Sequence, residues 1–208
     1  MKPRAFVFDA YGTLFYVHSV VMHGGADIRG DLHGLSALWR QKQLEHTWLR
    51  SLMGRYEDFW EISNAALHAA ARQLKIETED AQLASLLQAY LFPSAFPDAK
   101  PALEALRGAR AAILSNGSPK MLQSAVSHNG LQSYLGELIS ADRVKTYKPS
   151  LGSMLLAPRP STCRPPRFFS YRRTPGMPPG PRRSVIACAG ATALARNSNT
   201  WVSHRIWW

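Results

Sequence analysis

Apolar residues follow two rhythms along this chain. Ala5-Phe6-Val7-Phe8 and Ala111-Ala112-Ile113-Leu114 are short unbroken runs, stopped by Asp9 and Ser115 respectively. Unbroken apolar runs of this length predict strands buried on both faces, as in a parallel sheet. Leu138-Ile139-Ser140-Ala141 is a weaker third strand. Elsewhere the spacing lengthens: Leu38, Gln41, Leu44, Glu45, Trp48, Leu49 and Leu52 recur at three and four, which predicts a helix from Leu35 to about Arg55. Further helices are expected over about 56–74, over 79–90, from Asp98 through Leu106 with Pro101 in the first turn, and from Pro119 to Val126. The stretch from His23 to Gly34 reads as a loop.

Strands alternating with helices give the rhythm of an α/β, doubly wound parallel sheet, whose ligand site lies beyond the carboxyl ends of the strands. Asp9, Ser115 and Lys148 all fall on that edge. The helices between Leu35 and Tyr90 have no strand among them, so they are expected to form an inserted helical cap. The expected division is 1–15 and 96–150 for the α/β core and 16–95 for the cap, with 151–208 as a separate, irregular tail.

Charge changes the picture at one place. The 208 residues carry 25 Lys and Arg against 14 Asp and Glu, a net of +11. Residues 1–150 hold 16 basic and 14 acidic residues, whereas 151–208 hold nine Arg, no Lys and no acid. The basic excess belongs to the tail. No apolar run approaches the roughly 20 residues of a membrane-spanning helix, and Asp9 breaks the first apolar run too early for a secretory signal. Cys163 and Cys188 both lie in the tail, so no disulfide framework is expected before it. A cytoplasmic location is the expectation.

An isolated acid after a strand is as readily a turn or cap residue as a catalytic one. Here it is joined by a hydroxyl–amide pair, Ser115-Asn116, and by Lys148. An ammonium group and nearby donors keep a carboxylate ionised and aimed, as a nucleophilic aspartate requires.

Phe8-Asp9-Ala10-Tyr11-Gly12-Thr13-Leu14-Phe15, Ser115-Asn116-Gly117 and Tyr147-Lys148-Pro149 resemble the first three motifs of the haloacid dehalogenase superfamily. Residues 38–45 (Leu-Trp-Arg-Gln-Lys-Gln-Leu-Glu) and 47–53 (Thr-Trp-Leu-Arg-Ser-Leu-Met) resemble the cap segment of its type II (S)-2-haloacid dehalogenases. The resemblance implies that Asp9 attacks C2 of a 2-haloalkanoate, forming an ester that water then hydrolyses to the (R)-2-hydroxy acid. It further implies that Ser115 and the backbone N–H groups of Ala10 and Tyr11 hold the substrate carboxylate. Arg40 and Asn116 would cradle the halide, Lys148 would keep Asp9 ionised, and Thr13 would orient it.

Phosphatases of the superfamily carry an acid two positions after the nucleophile, because an alkoxide leaving group needs a proton. That position here is Tyr11, and halide needs no proton. No metal and no other cofactor is expected. Tyr16 departs from the family, which has Asp there. Trp39, Trp48 and Phe59-Trp60 are expected to pack the cap, some of them lining the substrate pocket. His18, His23 and His33 read as loop residues without metal-ligand spacing.

After Ser150 the resemblance stops. The family continues with a helix carrying a Tyr and then a Ser-x-Asn-x-x-Asp motif, whereas this chain has eight Pro and nine Arg. Such a composition reads either as a basic nucleic-acid-binding tail or as a GC-rich gene translated out of frame. Assigning residues 168–180 to permitted codons and reading from the third base of the first spells Leu-Phe-Val-Ser-Ser-Asn-Ala-Trp-Asp-Ala-Ala-Gly, the missing motif. Only the first base of each shifted codon is free to choose. Residues 152–156 treated alike spell Val-Tyr-Ala-Leu, which supplies the Tyr. A frameshift near Ser150 is therefore expected, with impaired turnover and an unpaired sheet edge.

The leading expectation is an (S)-2-haloacid dehalogenase impaired by the loss of its fourth motif. A phosphohydrolase of the same superfamily, or an inactive protein with a nucleic-acid-binding tail, stands as the alternative. The expected partner is a small 2-haloalkanoate. Nucleic acid and membrane are disfavoured, and a homodimer is left open.

Overall fold

The structure, a computed structural model, describes residues 5–157 and, beyond them, the strand backbones of Arg167–Tyr171 and Arg183–Ala187. In chain order the elements begin with strands β1 (Ala5–Phe8) and β2 (Phe15–Tyr16). Helices α1 (Ser19–Gly24), α2 (Leu32–Met53), α3 (Phe59–Gln73) and α4 (Asp80–Ala89) follow. Then come β3 (Ser94–Ala95), α5 (Ala99–Ala105), β4 (Arg110–Ser115), α6 (Pro119–His128), β5 (Glu137–Ser140), α7 (Leu151–Met154), β6 (Arg167–Tyr171) and β7 (Arg183–Ala187).

The apolar runs pair as their patterning requires. β1 and β4 are parallel, with Phe8 opposite Ile113, and β4 and β5 are parallel, with Ser115 opposite Ser140. Alternate residues of each strand serve opposite faces, the two-residue period of extended chain. Ala111 and Ile113 join Phe8 in the larger core, beneath the helices. Ala112 and Leu114 join Val7 and Ile139 on the other face, where Met154 and Ala157 cover them.

The polypeptide leaves this sheet at β2 and returns at β3, and the two strands pair antiparallel, Phe15 opposite Ala95 and Tyr16 opposite Ser94. Helices α1 to α4 all lie between these two crossings. Each of the three long ones starts on a local side-chain cap. Asp31 accepts from the Gly34 N–H at 2.8 Å, Asp58 from the Trp60 N–H at 2.7 Å, and Glu79 and Gln82 form a reciprocal capping box.

Several expectations are corrected. His23 and His33, expected in a loop, lie in α1 and in the first turn of α2. Trp39 and Phe59 are buried as expected, but Trp48 is 48% exposed because it falls on the outer face of α2. The tail, expected to be irregular, sends two segments into the sheet: β7 runs antiparallel along β1 and β6 pairs antiparallel with β7. The sheet order is therefore β5-β4-β1-β7-β6, with a parallel half and an antiparallel half. The free edge expected at β1 is occupied, because a row of backbone N–H and C=O groups can pair with any extended chain whatever its side chains. Residues 172–180 of the back-translated motif lie outside the described residues. Among the described residues, no helix is long and apolar enough to cross a membrane.

A buried polar network ties α2, α3 and α4 together. Gln43, wholly buried, donates to the Ser63 hydroxyl at 2.9 Å and accepts from the Tyr90 hydroxyl at 3.1 Å. The Ser63 hydroxyl donates to the Phe59 carbonyl, and the Trp39 indole N–H donates to the Ser63 carbonyl. Gln43→Leu leaves the Tyr90 hydroxyl without its acceptor and the Ser63 hydroxyl without its donor. It is expected to lower the unfolding free energy by about 1–3 kcal/mol, measured as a fall in the urea midpoint at unchanged slope.

Candidate active site

Asp9 sits where β1 ends, and the chain turns sharply behind it. The Ala10 carbonyl accepts from the N–H groups of Leu14 and Phe15 at 2.9 and 3.0 Å, and from that of Thr13 at 3.3 Å. Gly12 has φ +90°, a backbone region that disfavours other residues, which explains the glycine at the apex. The turn holds the Asp9 carboxylate at the carboxyl edge of the sheet.

Two groups converge on that carboxylate. The Lys148 ammonium lies 2.8 Å from Asp9 Oδ1 and also donates to the Leu114 carbonyl at 2.8 Å. The Ala10 N–H donates to the same Oδ1 at 2.8 Å. Both partners of the ion pair are largely enclosed, with side chains 24% and 17% exposed. An ion pair with this much enclosure is screened far less than a surface one.

β4 delivers the next two residues. The Ser115 hydroxyl is buried and accepts from the Gly117 N–H at 3.2 Å, while Asn116 Oδ1 accepts from the Lys148 N–H at 2.8 Å. Asn116 thus fixes the backbone of the lysine as well as facing the site. Gly117 is required by close approach: a Cβ there would lie 2.7 Å from the Tyr11 ring. The Ser140 hydroxyl donates to the Gly117 carbonyl at 2.7 Å and braces this loop.

The helical segment contributes Arg40, whose guanidinium donates to the Tyr11 carbonyl at 3.2 Å. It also contributes Tyr90 and Phe59, whose rings lie 5.3 and 6.4 Å from that of Tyr11. The Tyr11 hydroxyl is buried and has no hydrogen-bond partner among the described residues. Burial, and then the Tyr90 phenol, push its pKa well above the ordinary phenol range, although the Arg40 charge acts the other way.

Asp9, Lys148, Ser115, Asn116, Ala10, Tyr11 and Arg40 are therefore brought together by a sheet edge and one helix. Thr13 is buried within the turn behind Asp9. The Ala10 N–H is already engaged by Asp9, which leaves Tyr11 and Ser115 as the donors expected for a substrate carboxylate. Sequence reasoning passed over Tyr90, Gln43 and Ser140. Their positions carry no local motif, and only the packing of α2 against α3 and α4, and of β5 against β4, reveals them. Among the described residues, no group of three or more His, Cys, Asp or Glu is placed to hold a metal ion.

Comparison with known proteins gives one result at three levels. Residues 3–157 match the model of the haloacid dehalogenase-like hydrolases. The (S)-2-haloacid dehalogenase 4A of Burkholderia cepacia is 46% identical over 148 residues, covering 70% of this chain and 64% of the relative. The L-2-haloacid dehalogenase of Xanthobacter autotrophicus superposes with a TM-score of 0.70 at 43% identity, over 75% of this chain and 63% of that one. A structure of the Xanthobacter enzyme with chloropropionic acid covalently bound superposes with the same TM-score at 42% identity and the same coverage. The chain spans a little less than two thirds of the length of these relatives.

His18 stands beside the site. Its Nδ1 lies 2.6 Å from the Ser36 hydroxyl, and its ring stacks on that of His33. Burial first, and then the charges of His33 and Arg40, hold its pKa below the ordinary imidazole value. A histidine that is harder to protonate when folded binds its proton more readily in the unfolded chain. Its contribution to stability is therefore present above the ordinary pKa of about 6.5 and is lost as pH falls from there through the lower value of the folded state. His18→Gln is expected to flatten the dependence of the urea midpoint on pH between about 5 and 7.

Proposed function

Because the chain belongs to the haloacid dehalogenase-like hydrolase family, we propose that it is built to remove halide from (S)-2-haloacids through an ester on Asp9. The observation that carries this reading is the enclosed Asp9–Lys148 ion pair, with Arg40 from the helical segment bound to the Tyr11 carbonyl two residues after Asp9. The covalent chloropropionate complex of the Xanthobacter relative supports it.

The steps follow from the geometry. Oδ1 of Asp9 already takes hydrogen bonds from Lys148 and the Ala10 N–H, so Oδ2 is the attacking oxygen. A bond forms from Oδ2 to C2 of the haloacid while the carbon–halogen bond breaks, and the halide leaves with the bonding pair. Lys148 is paired with the Asp9 carboxylate, and a carboxylate attacks without the help of a base. Arg40 and Asn116 stabilise the halide where charge develops. Ser115 and the Tyr11 N–H hold the substrate carboxylate, and Thr13 steadies the turn. The buried Tyr11 hydroxyl, kept neutral, is the remaining donor that a bound haloacid satisfies. Expelling a strong acid's anion requires no proton donor at Tyr11's position, which favours this reading over a phosphohydrolase.

In this proposal residues 16–95 form a cap over the 1–15 and 96–150 core, and the protein acts in the cytoplasm. Hydrolysis of the ester needs a positioned water, which we assign to the Ser-x-Asn-x-x-Asp motif missing from this chain. The charge break after residue 150 and the motif recoverable from residues 168–180 support a frameshift as its origin. Codons for residues 168–180 that cannot spell the motif in the shifted frame would overturn that origin.

The chain is then expected to alkylate once and stall. Incubation with (S)-2-chloropropionate should release a single equivalent of halide, and intact mass should show one ester, mapped to Asp9. Asp9→Asn should abolish both signals, and Arg40→Met should slow ester formation by about a hundredfold or more. An unmodified Asp9 sinks the proposal, and sustained halide release overturns the stall.

A further inference from the structure

Lys148 is held from the sheet side by Asp9, the Leu114 carbonyl and Asn116, and the loop that carries it is also gripped from the opposite side. Tyr147, one residue earlier, commits both its backbone and its side chain to the helical segment. Its N–H donates to the Ser51 hydroxyl of α2 at 3.0 Å, and its own hydroxyl donates to the Glu57 carbonyl in the α2–α3 turn. Its ring is 1% exposed and stacks on that of Tyr56 at 5.1 Å.

A second tie runs beside the first. The Tyr56 hydroxyl donates to Asp142 Oδ1 at 2.6 Å, just after β5, and the Lys145 ammonium reaches the same oxygen at 2.7 Å. Lys145 also lies over the Tyr56 ring, 4.9 Å from its centre. The Lys145 ammonium first, and then the Tyr56 hydroxyl, hold the Asp142 carboxyl below the ordinary carboxylate range. The acceptor is thus ionised near neutral pH, and the bond from Tyr56 is charge-assisted.

None of these groups touches Asp9, and none is explained by packing alone. The segment leading into residue 148 and the end of α2 with the turn after it, from different parts of the fold, are joined by directional bonds at residues 142 and 147. We propose that Ser51, Tyr56 and Tyr147 are positioning residues, which seat Lys148 against Asp9 by fastening its loop to the α2–α3 turn. Docking of the helical segment and assembly of the ion pair are then one event: Arg40 arrives over the site on the helix whose last turns lock Lys148 in place. The inference rests on the proposed function only for what the ion pair does, not for how the pair is held.

The test separates the two. In the full-length chain, acetic anhydride labels lysines according to their freedom and exposure, and mass spectrometry reads each site. Lys148 should label slowly in the native chain. In Ser51→Ala and in Tyr56→Phe its rate should rise about tenfold, the loss of one strong hydrogen bond, while exposed Lys100 and Lys120 stay unchanged. Ser51→Thr, which keeps the acceptor, should restore the slow rate. In the same variants, Asp9 alkylation at saturating (S)-2-chloropropionate should slow by about tenfold, with the half-saturating concentration little altered. An unchanged Lys148 rate, or a rise shared by Lys100 and Lys120, overturns the positioning role. If the native chain is never alkylated while Lys148 responds as described, the dehalogenase reading fails and the positioning role stands.

Discussion

A carboxylate and an ammonium group 2.8 Å apart, both largely shut away from water, are the constraint around which the rest of this structure is arranged. Neither charge is tolerable there alone, since an unpaired ion in such a place costs several kcal/mol. Each is therefore supplied with further partners: Asp9 takes the N–H that follows it, and Lys148 takes the last carbonyl but one of β4. Those partners are a backbone N–H of the turn that follows β1 and a backbone carbonyl of β4. The geometry of the pair is thus the geometry of the sheet edge, and it is as rigid as the ladder between β1 and β4.

The same constraint explains why the chain makes a long excursion before returning. An ion pair at an open sheet edge would face bulk water, where its Coulomb energy falls to about 1 kcal/mol. Helix α2 reaches groups beside that edge through Arg40 and Ser51, and the β2–β3 ribbon returns the chain next to where it left. Covering the edge creates its own problem, since helix interiors carry polar groups that need partners. Gln43, Ser63, Tyr90 and Trp39 meet it by bonding to one another. The one buried side-chain N or O atom left without a partner among the described residues, the Tyr11 hydroxyl, belongs to the residue two positions after Asp9.

Much of this was legible in the residues. Apolar runs ended by Asp9 and Ser115 located both strands and the edge they share, because a parallel strand buried on both faces leaves little choice of sequence. Arg40 was legible through its surrounding segment. What stayed hidden has a common cause. Tyr90, Gln43 and Ser140 act through partners far away in sequence, and no local pattern records such pairing. Trp48 misled because three-and-four spacing identifies a helix without saying how wide its buried stripe is. His33 misled because Gly30 and Gly34 around it look like loop punctuation, although Gly34 lies in the first turn of α2, where its N–H is the one Asp31 caps.

The strands of the tail show how backbone pairing alone extends a sheet. β1 needs hydrogen-bond partners on both sides, and that need is met by backbone, which every residue other than proline supplies. Arg183–Ala187 provides the partners in antiparallel sense, opposite to the direction in which β4 lies on the other side. A sheet can therefore be extended by a segment through its backbone groups alone. The chemistry cannot be completed that way, because a water-activating group must be a particular side chain at a particular distance. The abrupt change of charge after residue 150 thus falls between Lys148 and a segment whose described contributions are the packing of Met154 and Ala157 on the sheet and the backbone pairing of Arg183–Ala187 with β1.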